Sequence, residues 1–468
     1  MSENREQISE NNEFQVLLRR YEEMREGEIP AFFDVEEFEQ IIDYYLDEFQ
    51  FEEAREAALL GNQQHPHSVE IKYKFIYIFI EQGQPKKALK LLDEMPSWEN
   101  TNSELYFLRG TALCMVGRFQ EAEEHFDRAL ALSEEEHFDA LINISIAFEN
   151  AGRYEKAIKY LSIANKQDPG NLSVLFDLGY FHERIGDYIR SITYYREYID
   201  LDPFSDNVWY NLGIVYHKLE TFKEAAEAFD FSIALNPDYG SAYFNKANVW
   251  ADAGDYEKAI NCYLEFLEIE PSNAQAYCYL GDCYEQINEF DKALEAYRKV
   301  IELDNTSAEG WFGAGMAYQR KDMVREAITY MMKAIEFDDQ NIDYWLNLGY
   351  AYEDAGMPDE GIKCYAFVVR KSPSEKEGWL SLTGLMMKEG DFIKAVPILR
   401  EAYMHFPDDD SINIKLSVCH LKEGDVPLSA RFLRKALEIN SLSVTEFEYF
   451  VRGDQSDPVL VKIIEQFK

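Results

Sequence analysis

The sequence predicts an all-α fold built from repeated pairs of antiparallel helices. The first observation is a period of about 34 residues, since Gly213 and Gly349 occupy matching places in similar segments and lie 136 residues, or four periods, apart. The second is that small residues recur at fixed places in the period, where two helices can cross closely. The third is that glycine and proline separate runs whose apolar residues are spaced by three and four, which is a helical spacing.

The period sets the expected organisation of the chain. Repeats start at residues 35, 69, 103, 138, 172, 206, 240, 274, 308, 342, 376 and 410, and one step is 35 residues long. This gives twelve repeats that end near residue 443. We therefore expect an acidic N-terminal segment with a capping helix at 1–34, the repeats at 35–443, and C-terminal capping helices at 444–468.

Positions within a repeat, counted from its first residue, have distinct characters. Position 20 is small in all twelve repeats and position 8 in ten, so these positions predict the helix crossings. Positions 4, 11 and 24 carry large residues, such as Trp209, Tyr216 and Phe229. These side chains are expected to fill the space around the crossings, which accounts for an aromatic content of 15%.

Helix breakers stand where each pair needs its turns. Position 15 is glycine in eight repeats, and glycine readily adopts the left-handed conformation that ends a helix. Asn288 and Asp322 occupy this position in two other repeats, and both residue types tolerate that conformation better than most. Position 32 is proline in seven repeats, which predicts the end of the second helix.

Both ends of the chain carry amphipathic segments. Residues 12–26 place five apolar side chains on one helical face, and Asp34 with Glu37 resembles a capping box at the start of the first repeat. Asp457 and Pro458 suit a helix start, and an apolar stripe follows them. A cap docked on the array is one interpretation of this stripe, and an arm that binds a partner is the other.

Charge restricts the classes of partner. The net charge is −41, from 46 basic and 87 acidic residues. Binding to nucleic acid depends on Lys and Arg that displace counterions, and no basic stripe is present, so we expect no nucleic-acid partner and no contact with an acidic membrane surface. The negative net charge fits a basic protein partner, but it also fits a solvated acidic surface.

The compartment is expected to be the cytoplasm. The N-terminus lacks the basic end and apolar run of a signal peptide, and no stretch approaches the roughly 18 apolar residues of a membrane helix. The six cysteines form no CxxC pair, so in a reducing cytoplasm they are expected to be small buried hydrophobic residues.

The periodic residues resemble a known motif. Trp209, Leu212, Gly213, Tyr216, Ala225, Phe229 and Pro237 match the tetratricopeptide repeat position by position, and the resemblance covers about 409 of 468 residues. It implies a right-handed superhelical solenoid whose first helices line a concave face, chiefly through positions 2, 5, 9, 12 and 13. Position 8 departs from the motif in the first two repeats (Ile42, Ile76) and the last two (Thr383, Ser417).

Positions 5, 6 and 9 supply the candidate binding residues of that concave groove. They form an apolar and aromatic ladder with interspersed asparagines, and acidic residues at positions 12 and 13 flank it. The ladder is either a binding surface or packing between neighbouring repeats, and both alternatives stay open. The predicted groove residues are Phe176, Tyr180, Tyr210, Asn211, Ile214, Phe244, Asn245, Asn248, Phe312, Met316, Leu346 and Tyr350.

Two binding modes known in the family are only partly matched. Asparagine stands at position 6 in four repeats, which is a partial version of the ladder by which a glycosyltransferase of the family grips a peptide backbone. The clamp that reads acidic chaperone tails needs Lys at position 5 with Asn at position 9. Here Asn248 is accompanied by Phe244, so no such clamp is predicted.

We therefore predict a non-catalytic scaffold that binds protein or peptide segments, basic ones with apolar anchors in particular. No phosphate loop, nucleophile elbow or metal-ligand set is present, and the flanking segments leave no room for a catalytic domain, so no catalytic, cofactor or metal site is expected. The alternative is a regulatory or substrate-presenting subunit of an enzyme complex, contacted through the acidic surface or the end caps. Self-association stays open.

Overall fold

A computed structural model describes residues 3–25, 31–95, 102–133, 137–451 and 457–467, with side chains from residue 14 onward. Parts of the predicted terminal segments, at 1–2, 26–30, 452–456 and 468, lie outside the described residues. The described backbone is helical and contains no β-strand, which confirms the predicted all-α class. The chain divides into two compact halves, Met1–Thr221 and Phe222–Lys468.

The N-terminal half contains twelve described helices. They are α1 Glu3–Arg25, α2 Val35–Asp47, α3 Phe51–Gln64, α4 Val69–Glu81, α5 Pro85–Asp93, α6 Ser103–Met115, α7 Phe119–Leu132, α8 Phe138–Asn150, α9 Tyr154–Gln167, α10 Leu172–Arg184, α11 Tyr188–Leu201 and α12 Asp206–Lys218.

The C-terminal half contains fifteen described helices. They are α13 Phe222–Leu235, α14 Gly240–Asp252, α15 Tyr256–Ile269, α16 Ala274–Gln286, α17 Phe290–Leu303, α18 Ala308–Arg320, α19 Val324–Phe337, α20 Ile342–Asp354, α21 Pro358–Lys371, α22 Lys376–Lys388, α23 Phe392–His405, α24 Asp410–Lys422, α25 Val426–Ile439, α26 Val444–Val451 and α27 Pro458–Phe467.

The even-numbered helices from α2 to α24 begin at the residues where the predicted repeats start. Within each half, consecutive helices pack against each other, as α10 does on α11 and α16 on α17, so the architecture of stacked helix pairs is confirmed. The division into twelve repeats with a cap at each end stays a prediction.

Helix pairs cross where glycine at position 8 meets a large ring at position 24. A Cβ atom on Gly281 would lie 2.6 Å from the Tyr297 ring, and one on Gly349 would lie 2.4 Å from the Tyr365 ring. Real Cβ atoms do not approach that closely, so the two helices keep this separation only with glycine there. In the first repeat the large residue is at position 8 and the small one at position 24. Ile42 and Ala58 occupy these positions and are buried in the same cluster.

The turn inside each pair is left-handed throughout. All eight glycines at position 15 have positive φ angles, as do Asn288 and Asp322. Phe49 and Glu220, which stand at this position in the two remaining repeats, also have φ angles of 57°. The repeat geometry therefore imposes the left-handed conformation even where the residue type does not favour it.

Tryptophan at position 4 forms a hydrogen bond to the turn that precedes its repeat. The indole Nε1 of Trp209 donates to the Pro203 carbonyl oxygen at 3.0 Å, and Trp379 donates to Pro373 at 2.9 Å. Trp311 makes the same bond to Asn305. This bond fixes the angle at which the second helix of one repeat leads into the next first helix.

The terminal helices pack their apolar stripes onto the neighbouring pairs. Leu17, Leu18 and Tyr21 of α1 are buried in one cluster with Phe38 of α2. The predicted capping box is confirmed, because the Asp34 side chain and the Glu37 side chain each accept from the other residue's backbone N–H. At the other end, Leu460, Ile463 and Ile464 of α27 are buried in the cluster that also holds Leu433 of α25. Both stripes are therefore covered by the chain itself.

Candidate functional site

The first helices of successive repeats lie side by side within each half. In the N-terminal half α4 contacts α2 and α6, α6 contacts α8, and α10 contacts α12. In the C-terminal half α16 contacts α18, and α22 contacts α24. The side chains at positions 2, 5, 6, 9, 12 and 13 of these helices form what we call the first-helix face of each half.

In the N-terminal half, the predicted groove residues are half-buried on the first-helix face: Phe176, Tyr180, Tyr210, Asn211 and Ile214. The Phe176 ring lies 6.1 Å from the buried Tyr195 ring, and the Tyr180 ring lies 5.7 Å from Phe181. Each ring thus has one side on the interior and part of its surface open to solvent.

In the C-terminal half, the aromatic groove residues also bridge neighbouring repeats. Phe244 packs its ring 5.9 Å from Tyr279 in the next repeat and 5.2 Å from Phe266 in its own. Phe312 lies 4.5 Å from the Tyr344 ring, again one repeat further on. Both phenylalanines are half-buried. Packing between neighbouring repeats is therefore observed for these rings, and binding through their exposed sides stays a prediction.

The remaining groove residues of the C-terminal half sit at the edge of its core. Met316 and Leu346 are half-buried against core clusters. The Tyr350 hydroxyl donates to Glu377 Oε1 at 2.9 Å and lies 3.1 Å from the Ser381 hydroxyl, both in the following repeat. Tyr350 is therefore held in place by polar contacts as well as by its ring.

The asparagines of the groove have different surroundings. Asn248 Oδ1 accepts a 2.5 Å hydrogen bond from the Tyr263 hydroxyl, so its oxygen is engaged by the interior. At position 6, Asn347 donates to the Asp343 carbonyl oxygen of its own helix at 2.8 Å. Asn211 and Asn245 are half-buried at that position. The asparagines therefore do not present one uniform row of amides.

Part of the acidic rim is neutralised by lysines of the next repeat. Glu183 at position 12 forms a 2.5 Å ion pair with Lys218 at position 13 of the following repeat. Glu353 and Lys388 repeat this arrangement at the same distance. These pairs join neighbouring first helices, so Glu183 and Glu353 contribute less negative charge to the face than the sequence indicates.

Three carboxyl groups of the face are held in an environment that disfavours their ionised form. Burial raises the pKa of Asp177 to about 6, and the nearby Glu149 adds to the shift. Burial raises the pKa of Glu285 to about 7, the Asp282 charge adds to this shift, and Arg320 opposes it. Burial also raises the pKa of Asp282, which keeps an exposed edge and accepts a 2.7 Å hydrogen bond from the Tyr297 hydroxyl.

An acidic cavity that was not predicted from the sequence lies between α2, α4 and α6. Its volume is about 740 Å³, and its acidic lining consists of Glu39, Asp43, Asp47, Glu70 and Glu104. Tyr73 and Tyr77 contribute aromatic surface, and Lys74 pairs with Asp43 at 2.7 Å. Part of the signal for it was present in the sequence, since position 2 is glutamate in each of the first three repeats and positions 5, 9 and 13 of the first repeat are also acidic.

Within the described ranges, no group of three or more His, Cys, Asp or Glu side chains is arranged to hold a metal ion. No described helix combines the length and the apolar character needed to cross a membrane.

Family models match most of the central chain. Models described as "Tetratricopeptide repeat" match residues 176–239, 210–260 and 244–308, and residues 308–341 and 342–366. A model described as "Psidin, N-terminal TPR repeats region" matches residues 70–195. Together these matches run without a gap from residue 70 to residue 366. A search of curated proteins finds no match.

Several solved structures are similar to parts of the chain. A MamA structure is 28% identical over 37% of this chain and 95% of its own, with a TM-score of 0.36. YrrB, described as a TPR protein with an unusual peptide-binding site, is 21% identical over 39% of this chain and 97% of its own, with a TM-score of 0.35. The Cut9–Hcn1 hetero-tetramer of the APC/C is 16% identical over 82% and 89%, with a TM-score of 0.37.

Proposed function

Because this chain belongs to the tetratricopeptide-repeat family, we propose that it is a non-catalytic scaffold that holds a segment of another protein against the first-helix face of one of its halves. The observation that carries the proposal is the set of half-exposed apolar side chains on each face, including Phe176 and Ile214 in the N-terminal half and Phe312 and Met316 in the C-terminal half. Each has a packed side that fixes its position and a free side that a ligand can cover. Residues fixed in this way bind with little loss of conformational entropy.

The chemistry of the face favours a segment with apolar anchors and basic residues. Apolar anchors would cover the exposed sides of the rings, which is where interfaces gain most of their energy. Asp177, Glu149 and Glu285 supply carboxyl groups at first-helix-face positions. A net charge of −41 would also speed the encounter with a basic partner. We therefore propose that the partner is a protein or peptide of this composition.

Site-specific photo-crosslinking in the source cells tests the proposal. A benzophenone amino acid replaces Ile214 on the first-helix face in one variant and Ile189 on α11 in the matched control. Ile189 is 68% exposed, so it is the more accessible of the two. We expect a discrete crosslinked partner from position 214 only. Crosslinking to the same partner from position 189 and not from 214 would place the contact on the second helices and contradict the proposal.

A second candidate function is that of a regulatory subunit contacted through acidic surface. The acidic cavity between α2, α4 and α6 favours it, because one lysine faces five carboxylates there. Salt separates the two candidates, since raised ionic strength screens exposed charge pairs far more than apolar contacts. A partner held on the first-helix face by apolar anchors should remain bound at about 0.5 M salt, whereas one held by the acidic cavity should dissociate.

A further inference from the structure

A groove of about 510 Å³ lies between the second helices α15 and α17 of the C-terminal half. Residues of α16 at positions 4, 7 and 11 line it, so the groove is separate from the first-helix face. The rings of Tyr277 and Tyr284 in this lining are half-buried, and Leu264 of α15 is 43% exposed. The groove is therefore open to solvent and has a partly aromatic floor.

In the two repeats that follow, the aromatic residue at position 4 is covered by a ring from the second helix of its own repeat. The Tyr330 ring, from position 23, lies 5.2 Å from the Trp311 ring. The Phe367 ring, from position 26, stacks on the Trp345 ring at 4.3 Å. Positions 23 and 26 are therefore the places from which the chain covers position 4.

Tyr277 stands at position 4 of the repeat that forms the groove. Positions 23 and 26 of this repeat are Ala296 and Lys299, so neither place carries a ring, and both residues line the groove. The groove thus occupies the space that an aromatic side chain fills in the next two repeats. A ring from another molecule would restore the aromatic pair, which is favourable beyond the area it buries.

The rim of the groove is basic in comparison with the rest of the chain. Three cations and two carboxylates line it, whereas the chain has 46 basic and 87 acidic residues. The cations are Lys292, Arg298 and Lys299, and the carboxylates are Glu295 and Glu302. Lys299 pairs with Glu302 at 2.6 Å, and both side chains are more than half exposed. An exposed pair contributes little to stability, so Lys299 can exchange Glu302 for a carboxylate of another molecule at small cost.

We propose that this groove binds a segment of a partner protein in which an aromatic residue stands next to an acidic one. The aromatic ring would lie on Tyr277 between Ala296 and Lys299, as Phe367 lies on Trp345. The acidic side chain would pair with Lys299 at the rim. Because the groove is separate from the first-helix face, failure of this inference would leave the proposed function intact.

A variant that fills the groove with the chain's own ring tests the inference. Lys299→Phe places phenylalanine at position 26, where Phe367 covers Trp345. Lys333→Phe is the matched control, because Lys333 stands at position 26 of the next repeat and pairs with Glu336 at 2.5 Å, as Lys299 pairs with Glu302. Tyr330 already covers the aromatic residue of that repeat. The two variants therefore lose the same charge and gain the same side chain.

A random peptide library displayed on phage is selected against the full-length wild type, and the bound peptides are then tested on both variants. We expect a group of peptides that bind the wild type and Lys333→Phe but not Lys299→Phe. These peptides should share an aromatic residue next to Asp or Glu. A shared motif without an aromatic residue, or with Lys or Arg in place of the acid, would overturn the proposed ligand. The absence of any peptide that Lys299→Phe excludes would overturn the site.

The affinity of one such peptide separates the aromatic contact from the charge contact. Replacement of its aromatic residue by alanine should weaken binding to the wild type by about tenfold or more. Lys299→Glu should weaken binding of the unchanged peptide by about three- to tenfold, since an exposed ion pair becomes a repulsion. Lys333→Glu should leave it within about twofold, because salt at about 0.15 M screens charges one helix away. Equal losses in Lys299→Glu and Lys333→Glu would contradict pairing at the rim.

Two measurements without peptide complete the test. Lys299→Phe should raise the thermal unfolding midpoint more than Lys333→Phe does, because only the first ring covers an open tyrosine. An equal midpoint in the two variants would contradict the vacant place on Tyr277. Sedimentation of the full-length chains covers the other occupant, since a wild-type dimer that Lys299→Phe dissociates would overturn the partner segment and assign the groove to a second copy of this chain.

Discussion

At the scale of single residues, the turn at position 15 shows how the repeat determines local conformation. Every residue at this position has a positive φ angle. This holds for glycine, asparagine and aspartate, and also for Phe49 and Glu220, whose side chains make the conformation sterically unfavourable. For a residue other than glycine the cost is about 1–2 kcal/mol. Packing of the two helices on either side of the turn outweighs this cost.

Glu220→Gly should therefore stabilise the chain. Relief of the left-handed strain outweighs the greater freedom of glycine in the unfolded state, and we expect a gain of about 0.5–1 kcal/mol in the free energy of unfolding. Urea denaturation followed by circular dichroism measures it. Glu220→Ala removes the same side chain and keeps the strain, so an equal gain from alanine would show that the backbone conformation is not the cause.

Asp177 should make stability depend on pH in an identifiable direction. Its pKa is raised to about 6 in the folded chain, so the folded state binds a proton more readily than the unfolded state does. The penalty of the ionised group is thus fully present above pH 6 and disappears as the pH falls toward 4. Burial is the larger cause of the raised pKa of Asp177, and the charge of Glu149 adds to it.

Asp177→Asn should accordingly raise the free energy of unfolding at pH 8 by an amount on the order of 1 kcal/mol and leave it almost unchanged at pH 4. Urea denaturation at the two pH values measures this difference. Asp200→Asn is the control, because Asp200 is exposed and should show no such difference between the two pH values. Stabilisation by the same amount at both pH values would exclude the charge of Asp177 as the source.

At the scale of helices, the crossing within a pair depends on the match between positions 8 and 24. Gly349 and Gly384 both lie inside first helices, but their surroundings differ. A Cβ at residue 349 would press into the Tyr365 ring at 2.4 Å, whereas one at residue 384 would meet its nearest neighbour, Lys415, at 3.7 Å. Substitution by alanine at the two sites therefore separates helix propensity from helix packing.

We expect Gly349→Ala to destabilise the chain by about 1–3 kcal/mol, because the added methyl group forces the two helices apart. Gly384→Ala should be neutral or stabilising by up to about 1 kcal/mol, since alanine favours a helix more than glycine does. The thermal unfolding midpoints of both variants check this. A loss of stability in Gly384→Ala as large as that in Gly349→Ala would contradict the proposed role of the crossing.

Helix positions and crossings were predictable because they depend on short-range spacing. Glycine at position 15 and the small residue at position 8 are visible in the sequence, and the helix starts follow from them. Which charged residues of the first-helix face form ion pairs was less predictable, because these pairs join residues about 35 positions apart. Glu183, which pairs with Lys218, and Asp177, which forms no ion pair with a described residue, look alike in the sequence because both are acidic residues of a first helix. Only the arrangement of the helices shows which carboxylate has a cation.

At the scale of the whole molecule, two properties combine in the proposed function. The repeats present half-exposed apolar side chains on the first-helix face of each half, and the chain carries a net charge of −41. Charge of this magnitude affects the rate of encounter and the choice of partner more than it affects affinity. Apolar contacts with the face should therefore determine how long a partner remains bound.

The most direct test measures how a partner captured by crosslinking binds to chains with a lysine on the first-helix face. Ile214→Lys and Met316→Lys place a charge among the half-exposed apolar residues, and Ile189→Lys and Met404→Lys place it on second helices, where the wild-type side chains are 68% and 83% exposed. We predict that the variant in the half that binds the partner, Ile214→Lys or Met316→Lys, lowers affinity by about tenfold or more at 0.5 M salt, while the two second-helix variants bind like the wild type. Loss of binding in the second-helix variants, with wild-type affinity in Ile214→Lys and Met316→Lys, would contradict the account.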